Sequence, residues 1–157
     1  MAELSQFDAE LLAQDLPGLA QVAIASSIYS AERGQLEYRA AGSESSPAVP
    51  MLHGLGSSSA GYRAQFAGLS RDFRAIAWNA PGFGGSSPIA GHSASIDDYA
   101  EALEAFLRAL RIERLSVLVG SSGGSVVALA FASRYPALVG SRRLAAGDTV
   151  VVYCSHA

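Results

Sequence analysis

The run Leu118-Val119-Gly120-Ser121-Ser122-Gly123-Gly124 joins a short apolar stretch, residues 115–119, to a helix-length segment, residues 125–135. The first reads as a strand, apolar without polar alternation, as expected where helices cover both faces of a sheet. The second is rich in small residues (Ala128, Ala130, Ala132), apolar on nearly every side and stopped by Pro136, so it reads as a buried helix. A strand that passes through a glycine-rich turn into a helix is the repeating unit of an α/β sheet. Ser122, at the centre of this turn, is the first side chain to suspect of chemistry.

The same rhythm precedes it. Residues 49–52 form a short apolar strand that ends in His53-Gly54-Leu55-Gly56, and residues 60–69 have helix length. Residues 73–78 form a further strand, which ends in Asn79-Ala80-Pro81-Gly82-Phe83-Gly84-Gly85-Ser86. Ser95 predicts a helix cap, with Asp97 and Asp98 in the first turn where the dipole favours acids. Ile96, Tyr99, Leu103, Phe106, Leu107 and Leu110 then form the buried stripe of that helix. Upstream, residues 23–30 and 36–41 read as strands of a hairpin joined through Glu32-Arg33-Gly34-Gln35. Residues 4–16 carry leucines and Phe7 at helical spacing until Pro17-Gly18. The fold class predicted is α/β: a mostly parallel sheet with helices on both faces, in a single domain over residues 1–157.

With 157 residues, 50% of them hydrophobic, the chain can bury one core and is too short for two ordinary domains. A net charge of -3, from 11 basic and 14 acidic residues, gives no footprint for nucleic acid or an anionic membrane, so neither is an expected partner. Every basic residue is Arg, which excludes a phosphate-loop Lys, a Schiff-base Lys and a Ser–Lys dyad. Neither Gly54-Leu55-Gly56 nor Gly82-Phe83-Gly84 reaches the third glycine of a dinucleotide fingerprint. His53, His92 and His156 are isolated and no cysteine pair accompanies them, so no metal site is expected. The single Cys154, an acidic start and the lack of an apolar stretch near the roughly 20 residues that cross a bilayer read as a cytoplasmic protein.

A serine hydroxyl is a weak nucleophile until a sharp strand-to-helix turn presents it beside backbone N–H groups that face the developing oxyanion. Such a turn leaves little room for side chains, and Gly120 and Gly124 flank Ser122 two residues away on each side, the pattern G-x-S-x-G. A Gly/Ser turn that only caps a helix carries the same residues, so the pattern alone leaves both readings open. Taken together and in order, the segments at His53, Asn79 and Gly120 resemble the α/β-hydrolase fold family. Gly124, Ala128, Ala132, Tyr135-Pro136 and Val139 are similar to the helix that follows its nucleophile elbow. The resemblance spans residues 36–139 and leaves residues 140–157 as a divergent tail.

That resemblance implies an esterase-like serine hydrolase that takes a small-molecule substrate (an ester, lactone or related carbonyl compound) through an acyl-enzyme, without a cofactor. Carried over residue by residue, it makes Ser122 the nucleophile and gives the oxyanion hole the N–H groups of Gly123 and Leu55. His53 and Gly54 would shape the oxyanion loop. The rival reading of His53 as base fails on order, since the family's base follows its nucleophile. Asn79 stands where many members have Asp, and Pro81, Gly82 and Gly84 serve turn geometry. Ser at the elbow disfavours an aspartate-nucleophile dehalogenase.

In that family the acid and base follow the nucleophile, on loops after later strands. Here residues 125–157 remain, Gly140-Ser141-Arg142-Arg143 stands where an apolar sixth strand is expected, and residues 148–154 read as one strand. Asp148 and His156 follow the family's order but lie at the two ends of that strand, too far apart at about 3.3 Å per residue to touch. His156 swung in without a carboxylate is the remaining base. The expectation is the N-terminal part of a hydrolase, and the alternative is a truncated, non-catalytic remnant or binding module of that fold. The bared edge of the strand over residues 115–119 invites aggregation, and the strand over residues 149–154 is a candidate to pair there.

Overall fold

The strand, turn and helix rhythm builds one seven-stranded sheet. A computed structural model describes residues 5–91, 93–139, 141–145 and 149–155. In chain order the elements are α1 (Gln6–Ala13), β1 (Leu19–Ala25), β2 (Arg33–Ala41), β3 (Ala48–Leu52), α2 (Arg63–Leu69) and β4 (Arg74–Trp78). There follow α3 (Ile96–Ala109), β5 (Val117–Ser121), α4 (Gly123–Arg134), α5 (Pro136–Val139), β6 (Ser141–Ala145) and β7 (Thr149–Ser155). The sheet order is β1-β2-β4-β3-β5-β7-β6. Its centre, β4, β3 and β5, is parallel, with α2 and α3 as the crossovers that parallel neighbours require. The β1–β2 hairpin extends it antiparallel beyond β4, and β7 with β6 extends it antiparallel beyond β5.

Alternation along the central strands feeds two cores, one on each face. Leu52, Ile76, Trp78 and Leu118 meet Leu103 and Phe106 of α3 and Ala128 and Phe131 of α4. On the other face Val49, Met51, Ala75 and Ala77 meet Tyr62 and Phe66, with Val117 and Val119 packed against them. Phe106 and Phe131 are fully buried, and removing such a ring costs about 3–5 kcal/mol. Helix α3 begins as its sequence requires: the Ser95 hydroxyl accepts from the Asp98 N–H at 3.2 Å, and the Asp98 carboxylate accepts from the Ser95 N–H at 2.7 Å. The Ser95 N–H, and the Ser95 hydroxyl that also donates to this carboxylate at 2.7 Å, hold the Asp98 carboxyl below the usual carboxylate range.

Four local expectations are corrected. The hairpin turns earlier than Glu32-Arg33-Gly34-Gln35: β1 ends at Ala25, and Ala31 and Glu32 take left-handed backbone with φ 55 and 56. Ile96, assigned to the buried stripe, is 42% exposed because it opens α3 beside the loops that top the sheet. Helix α4 is not buried all round, since Val126 and Leu129 are 49% and 40% exposed; its small-residue face packs on the sheet and α3, and an apolar composition does not say how many faces are covered. Strand β5 starts at Val117, with Leu115 adding one parallel bridge to Ala48. The tail pairs as expected: β7 lies along β5 from Val117 opposite Tyr153 to Ser121 opposite Thr149.

Candidate active site

Ser122 sits between β5 and α4 with φ 49 and ψ -118, a conformation that costs a non-glycine residue about 1–3 kcal/mol. The surroundings enforce it. A Cβ at Gly120 would lie 2.3 Å from the Gly124 carbonyl oxygen, and one at Gly124 would lie 2.1 Å from the Leu52 oxygen. The Ser125 hydroxyl donates to the Gly120 oxygen at 2.7 Å, and the Ser125 N–H to the Ser122 oxygen at 2.9 Å. Only glycine therefore fits on either side of the bend, while Ser122 itself stays exposed.

The loop leaving β3 backs onto that bend. A Cβ at Gly54 would come 2.8 Å from the Ser122 Cβ and 3.3 Å from its Oγ. One residue on, the Leu55 nitrogen is 3.9 Å from the point where a Gly123 Cβ would stand, so the backbones of Leu55 and Gly123 adjoin beside Ser122. Gly123 is also the first residue of the 12-residue α4, whose opening N–H groups have no partner within the helix and carry its positive end.

His53 ties this loop to the next one. It is buried, its Nε2 accepts from the Ala80 N–H at 3.0 Å, and its Nδ1 bonds the Gly54 oxygen at 2.8 Å. An amide N–H can only donate, so the ring proton sits on Nδ1 and the imidazole is neutral. Burial lowers its pKa from the ordinary 6.5. With both nitrogens engaged, no lone pair remains to take a proton from Ser122. The Phe83 ring packs against the imidazole in a T-shaped pair, centroids 5.0 Å apart. His53 is the only histidine among the described residues; His92, Asp148 and His156 lie outside them.

Asn79, at the exit of β4, accepts from the Ser59 N–H at 2.8 Å and donates through Nδ2 to the Glu37 carboxylate at 2.5 Å. The sequence reading does not single out Glu37. Its one visible signal is a charge between Leu36 and Tyr38 in a strand otherwise partly buried. Pro81, Gly82 and Gly84 lie in the turn that follows, where Gly82 and Gly84 take φ 82 and 55.

Two cavities meet at residues 53–55. On the Gly123 side one of about 160 Å³ is walled by Leu55, Trp78, Phe83, Ile96, Tyr99 and Val127. On the Ser122 side a groove of about 340 Å³ is lined by Ser57, Tyr62, Gln65 and Ser121. The Tyr62 hydroxyl donates to the Leu52 oxygen at 2.7 Å, and burial pushes its pKa up to about 12, so it stays a neutral donor. Among the described residues no group of His, Cys, Asp and Glu could hold a metal ion, and no helix is long and apolar enough to cross a membrane.

The family model described as alpha/beta hydrolase fold matches residues 47–147. The 2-hydroxy-6-oxononadienedioate/2-hydroxy-6-oxononatrienedioate hydrolase 2 of Pseudomonas putida is 37% identical over 120 residues, which are 73% of this chain and 41% of that protein. Among solved structures, a thermophilic esterase from Thermogutta terrifontis superposes with a TM-score of 0.68 at 28% identity, covering 76% of this chain and 42% of that one. The naproxen esterase of Bacillus subtilis superposes with a TM-score of 0.67 at 27% identity, over 87% of this chain and 48% of that one. The chain thus spans less than half the length of each of these relatives.

Proposed function

The chain belongs to the α/β-hydrolase fold family, and on that premise we propose that its site is built for serine-dependent acyl transfer to water, with Ser122 as nucleophile. The substrate is a small-molecule ester, lactone or related carbonyl compound. The observation that carries this reading is the left-handed Ser122 backbone, φ 49, on a bend where the Leu55 and Gly123 backbones adjoin. Strain of this kind persists where the surroundings over-determine it, and it clusters at sites that use it.

Ser122 Oγ bonds to the carbonyl carbon as its proton passes to a base. The electron pair moves onto the carbonyl oxygen, which the Leu55 and Gly123 N–H groups receive. Collapse of this adduct expels the alcohol, which takes the proton back, and water repeats the sequence on the acyl-enzyme to release the acid and free Ser122. Loss of one oxyanion donor in such a site costs about 10²–10³ in rate. The cavity walled by Trp78, Phe83 and Val127 gives the carbonyl substituent an apolar berth, and the Ser122 groove admits water. His53 is engaged at both nitrogens, so the base comes from outside the described residues. His156 follows the right chain order, but β7 runs from Thr149 opposite Ser121 to Tyr153 opposite Val117, so Ser155, the residue before His156, ends that strand at the far end of β5 from Ser122, which disfavours His156 as the base.

One observation favours a second reading, a binding module that keeps the pocket without turnover. β7 pairs antiparallel along β5 from Val117 to Ser121, on the side where the family's later parallel strands would follow. A fluorophosphonate probe separates the two readings, because it bonds to serine Oγ with loss of fluoride only when the hydroxyl is activated. Labelling that disappears in Ser122→Ala supports the hydrolase, and folded protein that stays unlabelled supports the binding module.

A further inference from the structure

We propose that Glu37 is a positioning residue of this site, acting through Asn79 to hold the loop that presents the Leu55 amide. The catalytic consequence rests on the reading of Leu55 and Gly123 as oxyanion donors; the clamp itself does not. The loop after β3 is fastened at both ends to the exit of β4. The Ala80 N–H donates to His53 Nε2 at 3.0 Å, and the Ser59 N–H donates to Asn79 Oδ1 at 2.8 Å. Leu55 lies between these ties and is 83% exposed, so the ties rather than packing aim its N–H.

The Asn79 amide serves Ser59 while its other end is held, and Glu37 holds it. Nδ2 donates to Glu37 Oε2 at 2.5 Å, and the same oxygen accepts from the Gly85 N–H at 3.2 Å. Backbone bonds reinforce the pair: the Asn79 N–H donates to the Glu37 oxygen at 2.7 Å, and the Ser86 hydroxyl, which accepts from the Glu37 N–H at 3.0 Å, donates to the Asn79 oxygen at 2.7 Å. Gly84-Gly85 makes the room. A Cβ at Gly84 would lie 2.7 Å from both Asn79 Nδ2 and Glu37 Oε2, and one at Gly85 would lie 2.7 Å from Glu37 Oε1.

The polarity of the chain of bonds is fixed. The Ser59 N–H can only donate and an ionised carboxylate can only accept, so an amide at 79 satisfies both neighbours. A carboxylate at position 79 would face that of Glu37 at hydrogen-bond distance, like charge against like.

The test is the second-order rate of fluorophosphonate labelling at Ser122 in the full chain and in Glu37→Gln, Asn79→Asp and the double variant. Amide exchange of Ser59, read by NMR, is followed in the same four proteins. Asn79→Asp is expected to slow labelling about tenfold, the scale of a sub-ångström misplacement. Glu37→Gln keeps a neutral acceptor for Nδ2 and loses about twofold. The double variant exchanges the two groups, so that an amide at position 37 donates to a carboxylate at position 79. It recovers to within about threefold of the parent, the remaining loss coming from the Gly85 N–H, which then faces an amide nitrogen at position 37 instead of an acceptor, and its Ser59 protection returns. A double variant no faster than Asn79→Asp, or an Asn79→Asp that labels like the parent, overturns the proposal. If the parent does not react, the nucleophile reading fails and Ser59 exchange alone decides the clamp. If Asn79→Asp does not fold, a double variant that folds supports the pairing and one that does not overturns it.

Discussion

His53 fills its place only while neutral, because one nitrogen must accept from Ala80 and the other must donate to Gly54. Its pKa in the folded chain lies below the ordinary 6.5, so the unfolded chain binds more protons in the window beneath 6.5. Stability from this residue is complete above that value and is lost as pH falls toward the folded pKa. Melting temperature is therefore expected to drop as pH is lowered from 7.5 to about 5.5, and His53→Gln, destabilised at every pH, is expected to lose this slope. A parent whose melting temperature is flat across that window would refute the assignment. Residues of this kind leave unequal marks on a sequence. Gly120, Gly124 and Gly54 are legible because a close backbone approach at each forbids any other side chain, which is why the spacing around Ser122 could nominate the bend. Glu37 is not legible, since β2 delivers it to Asn79 across 42 positions and a lone acid in a hairpin looks like surface charge.

The β1–β2 hairpin is where sequence and structure part at the level of elements. Gly34 drew the turn toward itself, yet it lies within β2, and its missing Cβ makes room for the Tyr29 ring, which a side chain would meet at 2.7 Å. The turn instead uses Ala31 and Glu32 in left-handed conformation, a pair of positions that prefers Asn and Gly. Local propensity is therefore overruled here by the packing of Tyr29, which is 3% exposed. Relieving one position should show it: Glu32→Gly is expected to stabilise the chain by about 0.5–1 kcal/mol, raising the melting temperature by about 1–4 °C. A fall in melting temperature would mean that the Glu32 side chain contributes more than its backbone costs. By contrast α3, with both its cap and its stripe written in adjacent residues, was readable almost to its ends, and the apolar strands were readable because helices cover both faces.

Across the whole molecule the question is what closes the sheet beyond β5. β6 and β7 are antiparallel to each other, and β7 is antiparallel to β5, so β6 runs in the direction of β5 with a one-strand gap that β7 fills by folding back. The apolar run of the tail made a pairing with β5 legible; its direction was not, because it follows from where β6 lands. Filling the gap matters, because an unpaired β5 would present a row of free N–H and C=O groups to any passing strand. As an interior strand, β7 uses its backbone donors on one neighbour or the other, and a proline within it removes a ladder bond and intrudes on the pleat. Val151→Pro, at the position facing Val119, is therefore expected to cost about 3 kcal/mol or more and to shift the protein toward self-association. Thermal melting with analytical ultracentrifugation reads both effects. A variant that keeps the parent's oligomeric state and melts with the parent would mean that β5 does not depend on β7. The binding-module reading, which rests on β7 occupying that edge, would then lose its support.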